Sequence, residues 1–128
     1  MFAVAADRRA ALVQMFTDLG FQFDAAELTE LGVHVELDWQ RGIELISPLS
    51  GSTAGVAESV NGFLDRHGDG VYTVVVQVPD GGDAQTVADR YGAVTRFRQS
   101  FSGDGSYLDE TDLSVLGLPL TFLATNLS

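Results

Sequence analysis

The 128-residue chain contains no cysteine, which excludes a disulfide framework, thiolate metal sites and cysteine nucleophiles. It contains no lysine either, because all seven of its cations are arginine. That absence excludes the lysine-dependent phosphate loop, Schiff-base catalysis and lysine general bases. No apolar run approaches the roughly 18 residues of a membrane-crossing helix. The opening, MFAVAADRRAAL, lacks the cationic head and long apolar segment of a secretion signal, so a cytoplasmic location is the expectation. Basic charge is scarce: 18 carboxylates outweigh 7 arginines and 2 histidines, for a formal net charge of −11. Such a chain repels phosphate backbones and anionic lipid, so neither a nucleic acid nor a membrane is an expected partner. The same field attracts cationic small molecules.

What is present fits one folded domain: 45% of the residues are apolar, enough for a core at this length. Residues 2–6 (FAVAA) read as a buried strand, with Asp7 placed to cap a helix over 8–19 whose apolar residues recur at helical spacing. Gly20 stands where that helix should end. FQF (21–23) reads as a second strand followed by an acidic connection. Residues 32–38 alternate strictly, with Val33, Val35 and Leu37 on one face and His34, Glu36 and Asp38 on the other. GIELISP (42–48) follows so closely that the two segments should form an antiparallel hairpin ended by Pro48.

After a turn-rich stretch, 56–67 reads as a linker helix broken by HGDG. VYTVVVQV (71–78) is the strongest strand pattern in the chain. PDGGD reads as a turn, 84–91 as an amphipathic helix, and TRFRQSF (95–101), GSYLD (105–109) and LPLTFLAT (118–125) as strands. The order strand, helix, three strands therefore occurs twice. The divisions are module one at 1–48, a linker helix within 49–70 and module two at 71–128. One such module leaves a sheet face unburied, so two should pair. The expected fold is α+β, with two βαβββ modules forming one cup-shaped mixed sheet.

This pattern resembles the vicinal oxygen chelate superfamily, which includes glyoxalase I, methylmalonyl-CoA epimerase, extradiol dioxygenases and bleomycin-resistance proteins. The most specific part is GIELISPLS (42–50) with FLDRHGDGVY (63–72), which looks most like the epimerase branch; AAL followed by MFTDLGF is similar to the family's opening helix. The resemblance implies a glyoxalase-like fold, a homodimer and a site that handles a small molecule. It also implies four metal-ligand positions, usually His, Glu or Gln, His and Glu, where a divalent ion polarises a substrate carbonyl. Carried over, the second position falls on Glu44, the third on Thr73 and the fourth on Thr121, while the first lands at or before Met1. One carboxylate and two neutral hydroxyls do not match the usual zinc, nickel or iron ligand sets, so no metal and no other cofactor is expected.

Two functions follow from the resemblance. The first is a metal-independent isomerase or lyase acting on an apolar carbonyl substrate, with Glu44 as the base. The second is a non-catalytic ligand-binding or drug-sequestering protein, to which the charge of −11 lends a cationic ligand. If the hairpin register places Glu36 opposite Glu44, then His34, Glu36 and Glu44 share a face as an acid–base set. A register differing by one separates them. Tyr72, Phe97, Phe101 and Tyr107, with Thr73 and Thr121, are the candidate pocket residues.

Overall fold

The structure is a computed structural model that describes residues 1–127. It divides into two compact units, one from Met1 to Tyr72 and the other from Thr73 onward. The expected α+β architecture is present. Its strands hydrogen-bond as two mixed sheets, of five and four strands, rather than as one continuous sheet.

Unit one contains β1 (Phe2–Ala3), α1 (Arg9–Asp18), β2 (Asp24–Leu28), β3 (Val33–Asp38), β4 (Ile43–Pro48), α2 (Gly55–His67) and β5 (Gly70–Val71). The strand order is β2-β3-β4-β1-β5. β1 runs parallel to β4, and the other pairings are antiparallel. Alternation along β3 and β4 sorts the two faces. Val33 and Ile46 join Ala3, Tyr72 and the α2 residues Ala57 and Val60 in one core cluster. Leu45 and Phe2 lie on the other face, where the ring of Phe16 on α1 stands 6.2 Å from that of Phe2. Each Val or Leu buried in this way contributes roughly 1.5–3 kcal/mol.

Two local expectations need correction in unit one. The second strand is not FQF but the acidic segment Asp24–Leu28. That strand lies at the sheet edge, mostly exposed, so backbone pairing to β3 holds it without an apolar face. Phe21 and Phe23 instead pack edge-on against Phe16, at 5.4 and 6.0 Å. Nor does Asp7 cap α1. Arg8 is the N-cap residue and makes no side-chain cap bond; its guanidinium pairs with both oxygens of Asp69, whose Oδ1 also accepts the Ala5 N–H. The helix ends as expected, with Gly20 at φ +101°, a conformation that a side chain would strain.

Unit two repeats the topology with β6 (Val74–Gln77), α3 (Gly81–Asp89), β7 (Val94–Gly103), β8 (Ser106–Val115) and β9 (Leu118–Thr125). The strand order is β6-β9-β8-β7, with β6 parallel to β9 as β1 is to β4. The run 71–78 is therefore not one strand. It divides at Tyr72 and Thr73 between two sheets, because β5 completes the first sheet beside β1 while β6 opens the second. PDGGD is the start of α3 rather than a separate turn: the Asp80 carboxylate accepts the Asp83 N–H, satisfying an orphan donor of the first helical turn. β8 is twice the expected length and continues to Val115. α3 packs Ala88 against Leu113 and Val115, with Leu120 and Phe122 beside them. No helix among the described residues is long and apolar enough to cross a membrane.

Candidate functional site

The face of the second sheet turned away from α3 is set by register. Leu113, Leu120 and Phe122 face α3, so their neighbours Asp112 and Thr121 point the other way. Across the ladders Asp112 is opposite both Thr121 and Phe97, while Glu110 is opposite Gln99. A bulge between Thr95 and Phe97 makes Arg96 the extra residue of β7. Bulges re-aim side chains, and here Arg96 Nη2 reaches Asp112 Oδ1 at 3.0 Å.

A directed hydrogen-bond chain crosses this face. Thr121 Oγ1 donates to Asp112 Oδ1 at 2.7 Å. Thr121 has a single hydroxyl proton, so in the 3.0 Å bond between Thr73 Oγ1 and Thr121 Oγ1, Thr73 is the donor. Both threonines are buried. Beside the chain, Gln99 Nε2 donates to Glu110 Oε2 at 2.8 Å. Burial pushes the Glu110 carboxyl above its ordinary value of 4.5; the bond from Gln99 offsets part of that rise, and the charge of Asp112 adds to it. Gln99 Oε1 is buried and has no hydrogen-bond partner. Two carboxylates two residues apart thus occupy different surroundings, Asp112 held by Arg96 and Thr121, and Glu110 desolvated. This is an arrangement that separates acid from base roles.

Glu110, Gln99 and Asp112 were not among the sequence candidates. The segment DETD (109–112) carries acidic residues that strands usually avoid, and it ran past the short strand expected at 105–109. No apolar alternation marks the segment; Leu108, Glu110 and Asp112 share a face only through the ladder to the apolar strand 118–125.

The sequence candidates are distributed differently. Thr73, Thr121, Phe97 and Phe101 share the Glu110 face, with Phe101 half exposed. Tyr107 does not: it is paired with Ser102, one residue from Phe101 and Leu108, and alternation turns it to the α3 side. Tyr72 is a core residue of unit one, buried in the α2 cluster, edge-on to Phe63 at 5.5 Å and bonded through its hydroxyl to Ser59. In the β3–β4 hairpin Glu36 is opposite Leu45, and Glu44 is opposite Leu37. His34 and Glu36 therefore lie on the α1 side and Glu44 on the α2 side, so the register that would gather the three is not the one formed. His34 Nε2 bonds Glu36 Oε2 at 2.9 Å. Glu44 acts electrostatically on the N-terminal ammonium of Met1, whose pKa is lowered by burial and partly restored by that charge.

The donor chemistry does not fit a divalent metal. Thr73 and Thr121, to which the resemblance carries the third and fourth ligand positions, are neutral hydroxyls that bond each other, and Thr121 has committed its proton to Asp112. Among the described residues no three His, Cys, Asp or Glu side chains come together as a ligand set.

No protein-family model matches the chain, and no curated protein matches it. Among solved structures it is similar to hypothetical protein BH1468 from Bacillus halodurans C-125, with a TM-score of 0.69 and 16% identity over 99% of this chain and 93% of that one. It is similar to methylmalonyl-CoA epimerase from Mycobacterium tuberculosis, with a TM-score of 0.63 and 19% identity over 96% of this chain and 83% of that one. A Glu-to-Gln variant of the Streptomyces coelicolor methylmalonyl-CoA epimerase in complex with 2-nitronate-propionyl-CoA matches with a TM-score of 0.63 and 18% identity, over 98% and 95% of the two chains. The chain has the vicinal oxygen chelate fold. At these identities, the fold is what the chain shares with the epimerases.

Proposed function

We propose that the protein is a metal-independent isomerase or lyase that moves a proton beside the carbonyl of a largely apolar substrate, with Glu110 as the base. The observation that carries this reading is the desolvated Glu110 carboxylate, its proton affinity raised, bonded to Gln99 on a face lined by Phe97 and Phe101. A carboxylate so placed is a stronger base than one in water. Glu110 takes the proton from the carbon next to the carbonyl. The C–H electron pair becomes the enolate double bond, and the carbonyl oxygen takes the charge. Delivery of the same proton by Glu110 to another carbon of a conjugated enolate, as the carbonyl re-forms, gives an isomerase; expulsion of a leaving group with its electron pair from the neighbouring carbon gives a lyase. Arg96 supplies positive charge near this face, and the unpartnered Gln99 Oε1 is an acceptor for a substrate N–H or O–H. The fold shared with methylmalonyl-CoA epimerases supports a carbonyl compound as the starting class.

The test is deuterium exchange in D2O with added EDTA, read by NMR at the carbon beside the carbonyl. The panel is acyl thioesters and ketones, with methylmalonyl-CoA first. Exchange that survives chelation and is lost in Glu110→Gln supports the assignment. Exchange unchanged in that variant removes Glu110, and loss in Glu44→Gln instead returns the role to Glu44. Saturable binding with no exchange across the panel favours the non-catalytic binder, to which a net charge of −11 gives a preference for cations. The homodimer belongs to the same proposal and is read by light scattering.

A further inference from the structure

Unit one has a half-open cavity of about 340 Å³ between α1 and its sheet, at the lower end of small-molecule sites, ~300–1,000 Å³. Phe2, Val4 and Leu45 form its sheet wall, and Leu12, Met15 and Phe16 its helix wall. These walls do not close on each other: no residue of α1 is fully buried, and Met15 is 47% exposed. A helix whose apolar residues line an unfilled space gives up the contacts that normally hold such a face.

We propose that this cavity is a binding site for a neutral, apolar small molecule carrying an aromatic ring. Three observations choose that class. The six wall residues offer no charge. Asp69, the charged residue at the cavity, is already engaged on both carboxylate oxygens by Arg8 and by the Ala5 N–H. It therefore offers a cation little, and the apolar walls give an anion no donor. The Phe2 and Phe16 rings, tilted by 36° with centroids 6.2 Å apart, present a face and an edge to a third ring. Met15 is an adaptable wall at the more open side. Arg8 and Asp69 pin the start of α1 to the segment between α2 and β5, so the helix admits a ligand by easing away at its far end while that anchor holds.

The probes are N-phenyl-1-naphthylamine, which is neutral, and 8-anilinonaphthalene-1-sulfonate, the same skeleton bearing an anion. The chain has 2 methionines, and Met15 alone lines the cavity. Methyl-labelled methionine therefore gives a reporter and an internal control. The neutral probe is expected to bind saturably, shift the Met15 methyl while leaving Met1 in place, and bind at least tenfold more tightly than the sulfonate. Leu12→Trp fills the cavity and is expected to weaken binding at least tenfold. If circular dichroism shows that this variant does not fold, Met15→Trp fills the space from the open side and is read by fluorescence. The proposal is overturned by the absence of a Met15 shift, by equal shifts at both methionines, by equal affinity for the two probes, or by undiminished binding in the folded filling variant. None of these outcomes depends on Glu110 or on turnover.

Discussion

Thr73 gives its hydroxyl proton to Thr121 across 3.0 Å, and Thr121 gives its own to Asp112 across 2.7 Å. The two hydroxyls are thus joined in one directed chain that ends on a carboxylate. Thr121→Val keeps the shape but removes the Thr121 acceptor of the Thr73 hydroxyl and takes one donor from Asp112. A loss of about 1–3 kcal/mol is expected, the range for losing a buried bond between hydroxyls together with one to a carboxylate. Thr73→Val is expected to cost less, because it removes only the first donor. In a denaturant double-mutant cycle the pair should couple by about 0.5–1.5 kcal/mol. Effects that add without coupling would break the chain as drawn.

Stability should pass through a maximum in mild acid. The Glu110 carboxyl is raised by burial, so its ionised form opposes folding at pH 7, and stability grows as pH falls through the raised value. Asp38 is held low chiefly by the Gln22 N–H, and Asp69 chiefly by the Arg8 side chain. Their contributions are complete above the ordinary aspartate value of 3.8 and are lost as pH falls through the lower folded values. Urea melts across pH should therefore rise from neutrality and then fall below about pH 4. Relief of self-repulsion in a chain of net charge −11 acts in the same direction on the first limb. Glu110→Gln separates the two effects: it should raise stability at pH 7 and shrink that limb, while Asp38→Asn should flatten the acid limb. A Glu110→Gln protein less stable than the native one at pH 7 would contradict the sign.

The doubled βαβββ order was legible because the β3–β4 hairpin alternates cleanly and the helices carry apolar spacing. Failures came where backbone pairing outweighed composition. The edge strand Asp24–Leu28 needs no apolar face, so FQF was the more strand-like but incorrect choice. The β-branched run after Val71 hides a change of sheet at Tyr72 and Thr73, which no local pattern marks. Glu44, Thr73 and Thr121 could be placed by resemblance, and Thr73 and Thr121 do meet. The hairpin register that separates Glu36 from Glu44 could not be read, because a shift of one residue changes every face. Glu110 was invisible for a different reason: its raised proton affinity comes chiefly from burial in the folded sheet, with the nearby charge of Asp112 a lesser cause.

His34 gives a contrasting prediction. It bonds Glu36 at 2.9 Å and stands 3.8 Å from Glu27 on the edge strand, on the sheet face that carries Phe2 and Leu45. His34→Gln is expected to cost about 1–2 kcal/mol of stability through the lost charge-assisted bond. Deuterium exchange should remain unaltered. Exchange abolished in a protein that melts like the native one would move His34 into the chemistry.

Arg96 should set how readily Glu110 ionises without touching it. The guanidinium lies 3.0 Å from Asp112, about one-third exposed, on the bulge that aims it there. Asp112 is one of the charges that raises the Glu110 carboxyl, and Arg96 counters that charge. Arg96→Gln keeps a donor for Asp112 but removes the positive charge, so the field of Asp112 on Glu110 grows and the Glu110 carboxyl should titrate at higher pH. Carbon NMR of labelled glutamate side chains reads this directly, with Glu110→Gln supplying the assignment. In the exchange assay the acid limb of the pH–rate profile should move to higher pH in the same variant, because a base must be ionised to act. A purely structural role for Arg96 would lower stability and leave both the titration and the limb in place. If the Glu110 signal does not move in a folded Arg96→Gln protein, the carboxylates are not electrostatically joined and the acid–base reading of this face fails.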